Sequence, residues 1–177
     1  MKGRGSLVLL ALVAVVLLRP WEYRPHPGGP GPSQVLHGVA IRAVDGDTLE
    51  VRLDDGDVET VRVIGVDTPE TVKPDTPVQC FGPQASAFEH AHTEGRRVRL
   101  LVGVEPRDAY GRLLAYVWVY GPGGARRHRR PRFLEVELLR RGLARTLTFH
   151  PNDRFAHRFE ELQQKSARAG KGLWNAC

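Results

Sequence analysis

Two short stretches concentrate carboxylates where an alternating apolar pattern breaks. Asp45-Gly46-Asp47-Thr48 precedes one alternating segment, and Val66-Asp67-Thr68-Pro69-Glu70-Thr71 ends the next. Unneutralised carboxylates a few ångströms apart raise one another's pKa, and a hard divalent cation relieves that conflict. Oxygen donors without His or Cys favour calcium or magnesium over zinc. Two arginines accompany the acids: Arg62, five residues before Asp67, and Arg112, just after Tyr110-Gly111. A guanidinium offers phosphate oxygens a planar fork of donors and keeps its charge at any working pH. Together these residues can support metal-assisted chemistry at a phosphate. Each also has an ordinary reading: Asp-Gly-Asp as an Asx turn, Asp-Thr-Pro-Glu as a turn or helix start, and each arginine as a surface ion pair.

The elements that must position these residues follow from periodicity. Thr48–Leu53 alternates, with Leu49, Val51 and Leu53 on one face; Asp54-Asp55-Gly56-Asp57 signals a turn. Glu59–Val66 reads as the returning strand, with Val61 and Val63 inward and Thr60 and Arg62 outward. Such a hairpin brings both acidic breaks to one edge, so Asp47 and Asp67 are expected to share a cation. Val35–Val44 is a preceding strand, and Val98–Val102 and Leu113–Val119 are two more, around a polar loop holding Asp108, Tyr110, Gly111 and Arg112. A helix from Phe81-Gly82-Pro83 to Glu94, stopped by Gly95, has Ala85, Phe88, Ala91 and His92 as its expected inner stripe. Phe133–Arg141 forms a short helix and Ala144–Thr148 a brief strand. Asn152 is the expected cap of a last helix carrying Phe155, Phe159 and Leu162. The first three strands are joined by turns too short for parallel crossovers. The expected class is mainly β with α: a small closed barrel with its helices packed outside.

Length and charge bound the partners. The 177 residues suit one domain plus tails, and 41% hydrophobic with 26% charged residues excludes a disordered acidic tail or a multi-pass membrane protein. The net charge of +6 is unevenly spread: residues 33–75 hold ten acids and four bases, residues 76–177 nine acids and eighteen bases. Acids early and guanidinium groups late suit a site that handles a cation and an anion together, and equally suit internal charge compensation. The histidines form no spaced ligand set, and Ser86 and Ser166 have no His-Asp arrangement beside them.

The N-terminus reads as a targeting segment. Lys2 and Arg4 precede the apolar run Leu7–Leu18, which Arg19-Pro20 ends. Twelve apolar residues match a secretory core and are short for a span of about 20 residues. An uncleaved anchor through residues 7–18, a cleaved signal and a buried globular helix stand as alternatives. The Pro/Gly-rich stretch 24–34 is a spacer, giving a division into residues 1–34 and a domain over 35–177. Cys80 and Cys177 are the two cysteines; in an oxidising compartment they can close a loop worth about 4–5 kcal/mol, and two free thiols are the alternative.

Six blocks, taken in order, resemble the thermonuclease family, the staphylococcal-nuclease-like domains: VDGDTLEVRL at 44–53, VRVIGVDTPET at 61–71, FGPQASAF at 81–88, DAYGRLLAYVWV at 108–119, LLRRGLA at 138–144 and HPN at 150–152. The resemblance implies an OB-fold five-stranded barrel with about three helices. It also implies a Ca2+-dependent phosphodiesterase that cuts single-stranded DNA and/or RNA to 3′-phosphate products. By motif, Asp47 and Asp67 resemble the side-chain calcium ligands, and Thr68 the ligand through its carbonyl. Glu70 resembles the acid beside the attacking water, Arg62 and Arg112 the phosphate-binding arginines, and Tyr110 a substrate contact. Leu147 and Phe149 stand where two pocket tyrosines are usual; Phe149 retains a ring that can stack on a base. Thr76 and Ala109 stand where lysines are common. The 121–132 insertion adds five arginines within residues 126–132; it reads as a loop that tracks a nucleic-acid backbone, with a solvated loop without a partner and an anionic-lipid contact as alternatives. The expected protein is a monomer, secreted or anchored outside the cytoplasm. The competing expectation is a non-cleaving single-strand-binding module at the cell surface.

Overall fold

The computed structural model describes residues 30–71, 77–122 and 130–177. The apolar run at 7–18, Thr76 and most of the arginine-rich insertion lie outside the described residues. Strands β1 (Val35–Ala43), β2 (Thr48–Leu53) and β3 (Val58–Val63) form an antiparallel meander, as their alternation requires. Strands β5 (Arg97–Arg107) and β6 (Leu113–Val119) extend the sheet beside β1. Parallel pairing of Val61–Val63 with Leu113–Ala115 then closes five strands into a barrel. Its interior is filled by Leu49, Val51, Val61, Val63, Leu100, Leu113 and Val117, all fully buried. Such side chains each contribute about 1.5–3 kcal/mol.

The returning strand expected over 59–66 is divided. β3 stops at Val63 and, after a break at Ile64, β4 (Gly65–Asp67) runs on from Gly65, whose φ of 85° belongs to glycine. The missing side chain also lets the Phe159 ring lie against that backbone. β4 leaves the barrel sheet and pairs with β8 (Arg145–Leu147), opposing Asp67 to Arg145. The break turns Asp67 and Thr68 back toward the start of β2.

Helix α1 (Gly82–Thr93) buries Gly82, Ala85, Glu89 and Thr93. The expected stripe is corrected here: Ala91 and His92 are exposed and Phe88 is half-buried, because the inner face follows 82, 85, 89 and 93. A buried glutamate in that row hides the pattern from an apolar-periodicity reading. Helices α2 (Leu134–Arg141) and α3 (Ala156–Arg168) pack on each other, with Leu138, Leu139 and Phe159 buried between the layers. Asn152 does not cap α3, which begins after Phe155. Its amide instead bonds the backbone of Glu105 in both directions, at 3.1 and 2.9 Å. The two-residue strand β7 (Arg132–Phe133) adds to β6, and the short helix α4 (Leu173–Ala176) ends the chain. Cys80 and Cys177 form a disulfide.

Candidate active site

The two acidic breaks meet. Asp47, at the mouth of β2, is buried and accepts at Oδ2 from the Thr68 amide at 2.8 Å and the Thr68 hydroxyl at 3.1 Å. Its own amide donates to Asp45 Oδ1 at 2.9 Å, the Asx turn expected of Asp-Gly-Asp. Gly46 matters sterically, since a Cβ there would run into the Thr68 side chain. Asp67 opens to solvent on the same edge.

Arg62 joins the pair. It was expected on an exposed strand face, but it is buried: the β3–β4 break folds the chain over it. Its Nη1 donates to the carbonyls of Val63 at 2.7 Å and Val66 at 2.9 Å; Nη2 stands 3.3 Å from both Asp47 Oδ2 and Asp67 Oδ1. Burial is the largest influence on Asp47 and pushes its pKa up to about 6, against the opposing pull of Arg62, with the charges of Asp45 and Asp67 adding to the rise. A buried carboxyl held this way favours a cation brought to it.

Arg112 approaches from another element. Asp108 organises its loop, accepting at Oδ1 from the Tyr110 and Arg112 amides, each at 2.9 Å, and at Oδ2 from Arg112 Nε at 2.7 Å. Gly111, at φ 80°, makes the turn. The Tyr110 ring is exposed and lies 5.4 Å from the Arg112 guanidinium. Asp45, Asp47, Arg62, Asp67, Thr68, Pro69, Glu70, Tyr110 and Arg112 line one cavity of about 430 Å³. Thus Asp47, Asp67, Thr68, Glu70, Arg62, Arg112 and Tyr110 share a cleft. Phe149 is not in its lining; it is partly exposed and bridges to Asn152. Leu147 pairs with Gly65 across the β4–β8 ladder.

Among the described residues no group of three or more His, Cys, Asp or Glu side chains is placed to hold a metal. Arg62 stands between the two aspartates. The smaller donor set of Asp47, Asp67 and the Thr68 carbonyl consists of hard oxygens, and burial raises the pKa of Asp47 within it. That set fits calcium better than zinc.

The family model described as staphylococcal nuclease homologue matches residues 60–176. The chain belongs to this family. It is 39% identical over 176 residues to the thermonuclease of Staphylococcus intermedius, covering 96% of this chain and 95% of that protein. To the thermonuclease of Staphylococcus hyicus it is 42% identical over 173 residues, covering 94% and 95%. Endonuclease YncB of Bacillus subtilis (strain 168) is 36% identical over 152 residues, covering 84% of this chain and 66% of that protein. The barrel is the family's OB-type architecture, as expected from the resemblance.

Two supports within this staphylococcal nuclease homologue were not assigned from sequence. Gln79 brackets Glu70: its Oε1 accepts from the Glu70 backbone amide at 3.0 Å and its own backbone N–H donates to the Glu70 carbonyl at 2.9 Å. The next residue, Cys80, is tied to Cys177, so the C-terminus braces the segment that carries Glu70. Asp108 is the second, through its grip on Arg112. Gln79 had no signal beyond its residue type, because its partner's position is set by the fold; Asp108 stands in the polar loop only four residues before the arginine it holds.

Proposed function

We propose that this chain is a calcium-dependent nuclease hydrolysing single-stranded DNA and/or RNA to 3′-phosphate products. One observation carries the reading: Asp47, Asp67, Glu70, Arg62 and Arg112, drawn from four separate segments, line a single cleft. Asp47, Asp67 and the Thr68 carbonyl would hold calcium, which when bound neutralises charge at the scissile phosphate. Glu70 orients a water in line with the phosphorus and accepts its proton as the water oxygen bonds to phosphorus. The bond to the 5′-oxygen breaks, and that oxygen takes a proton from solvent, since a guanidinium is a poor acid. Arg62 and Arg112 donate to the non-bridging oxygens, more strongly as charge builds on them. Arg62 is preorganised for this because two backbone carbonyls fix its Nη1. Tyr110, exposed at the rim, contacts the substrate beside Arg112; Phe149, outside the lining, would reach only a flanking base.

The same reading has residues 35–177 working as a monomeric domain outside the cytoplasm, delivered by residues 1–34 as an anchor or signal. The Cys80–Cys177 disulfide supports an oxidising compartment. Among the described residues no helix is long and apolar enough to cross a membrane. The decisive test is Glu70→Gln assayed on single strands with calcium. Turnover is expected to fall by about 10²–10⁴-fold with little change in KM. Equal losses in turnover and binding would instead make Glu70 a binding residue, and an inert wild-type chain would end the nuclease account.

A further inference from the structure

Away from the cleft, the outer face of the sheet carries a row of cationic and aromatic planes. Register places His37 of β1 opposite Arg99 of β5, Arg99 opposite Trp118 of β6, and Trp118 opposite Phe133 of β7. With strands about 4.8 Å apart, the row is about 14 Å long. The Arg99 guanidinium lies 4.3 Å over the Trp118 ring, and Trp118 stacks on Phe133 at 4.3 Å with an interplanar angle of 7°. Arg158 reaches Phe133 at 5.9 Å, and Arg154 reaches Phe155 at 5.6 Å. Phe155 in turn meets Phe133 edge-on at 5.1 Å, so the two helix-side arginines belong to the same patch.

Among the described residues no carboxylate forms an ion pair with the arginines of this patch. Arg42, Arg97, Arg107 and Arg141 each pair with a carboxylate, whereas Arg99, Arg132, Arg154 and Arg158 form no ion pair among the described residues. Arg99 also has a buried Nε without a hydrogen-bond partner. A guanidinium stacked on an arene is held flat at reduced entropy cost, with its in-plane donors left for an anion. Packing does not require these charges: α3 is docked by Phe155 and Phe159 against Tyr116.

We infer that this face, built around Arg99, Trp118, Phe133, Arg154 and Arg158, is a second polynucleotide-binding surface that holds the substrate strand outside the cleft. The inference rests on the nuclease reading for the identity of its ligand, a single-stranded polyphosphate backbone. Trp118 of β6 lies six residues from Arg112, which immediately precedes that strand, about 20 Å at strand spacing. One strand can therefore engage both places, since OB folds take up about 4–16 nucleotides. Stacked arginines read backbone rather than base, so the surface adds length dependence and salt sensitivity without sequence preference.

The test is a full-length chain carrying Arg99→Gln, Arg154→Gln and Arg158→Gln, assayed with calcium on a long single strand and on a short fragment that fills only the cleft. The expected result is a KM for the long strand raised about tenfold at low salt, unchanged kcat, and an unchanged KM for the short fragment. Three lost phosphate contacts should flatten the salt slope of binding by about 2, at about 0.7 each. An unchanged ratio of the two KM values overturns the inference, as does an equal loss on both substrates, which signals general damage. A loss confined to phosphatidylserine vesicle binding would assign the face to lipid and also overturn it. Failure of the wild type to cut the short fragment strikes the nuclease reading alone. The face remains testable then, by binding of the long strand in the presence of chelator.

Discussion

The cleft has two walls, and each presents an arginine by a different physical route. Arg62 is buried, fixed by two backbone carbonyls, and stands 3.3 Å from each of two aspartates. Arg112 is half-exposed and owes its pose to one aspartate four residues earlier, in a loop that is nearly self-sufficient. The first wall stores the electrostatic conflict that makes the site receptive to a cation. The second is a locally organised arm that can be altered without disturbing the barrel. One residue type thus serves as keystone in one place and as detachable contact in the other, and burial makes the difference.

That contrast can be broken by measurement. Arg62→Gln is expected to abolish most turnover and to lower unfolding free energy by about 3–5 kcal/mol, because it leaves buried Asp47 without its cationic partner. Denaturant titration without calcium reads the stability term. Arg112→Gln should cost about 10²-fold or more in turnover while stability changes by less than about 1 kcal/mol, as for a partly exposed pair. If the two variants unfold at the same denaturant concentration, the walls are not different in kind. A smaller effect is expected for Asp108→Asn, which keeps a loop acceptor but weakens the hold on Arg112 Nε. Turnover should fall about tenfold with an unaltered calcium midpoint, and a shifted midpoint would tie the arm to the metal wall.

The mildest test concerns what lies behind the first wall. Glu89 is fully buried, and neither of its carboxylate oxygens has a hydrogen-bond partner among the described residues. Burial above all, then the charges of Asp47 and Asp45, push its pKa well above the ordinary glutamate range. The folded chain therefore keeps a proton that the unfolded chain releases, so the contribution of Glu89 to stability is highest in acid and declines as pH rises past the unfolded value. Glu89→Gln is expected to flatten that decline and to raise Tm near pH 8, by about 2–4 °C for each kcal/mol recovered. Parallel Tm curves for the two proteins from about pH 5 to about pH 8 would place the pH dependence elsewhere, with Glu135 the next buried carboxyl to examine.

Much of the fold was legible because strands and helix stops are local. Alternation at Thr48–Leu53, the Asp-Asp-Gly-Asp turn and Gly142 after α2 identify their elements from neighbours in the chain. The failures share a cause. Asn152 satisfies Glu105, 47 residues away, rather than the helix beside it. The α1 stripe contains a buried glutamate that no apolar pattern marks. Arg62 looked exposed because strand alternation cannot reveal that Gly65 folds the chain back over it.

For the site, the sequence by itself determined the inventory: two acidic breaks, two guanidinium groups and a family pattern that names them. Residue chemistry and short-range spacing are written in the chain. Only the tertiary structure decided which groups are dry and which are wet. It also seated Gln79 against Glu70, tied the neighbouring Cys80 to Cys177, and gathered arginines and rings from β5, β6, β7 and α3 onto one face. Those outcomes depend on contacts between distant segments and on the dielectric they create, which residue identity does not specify.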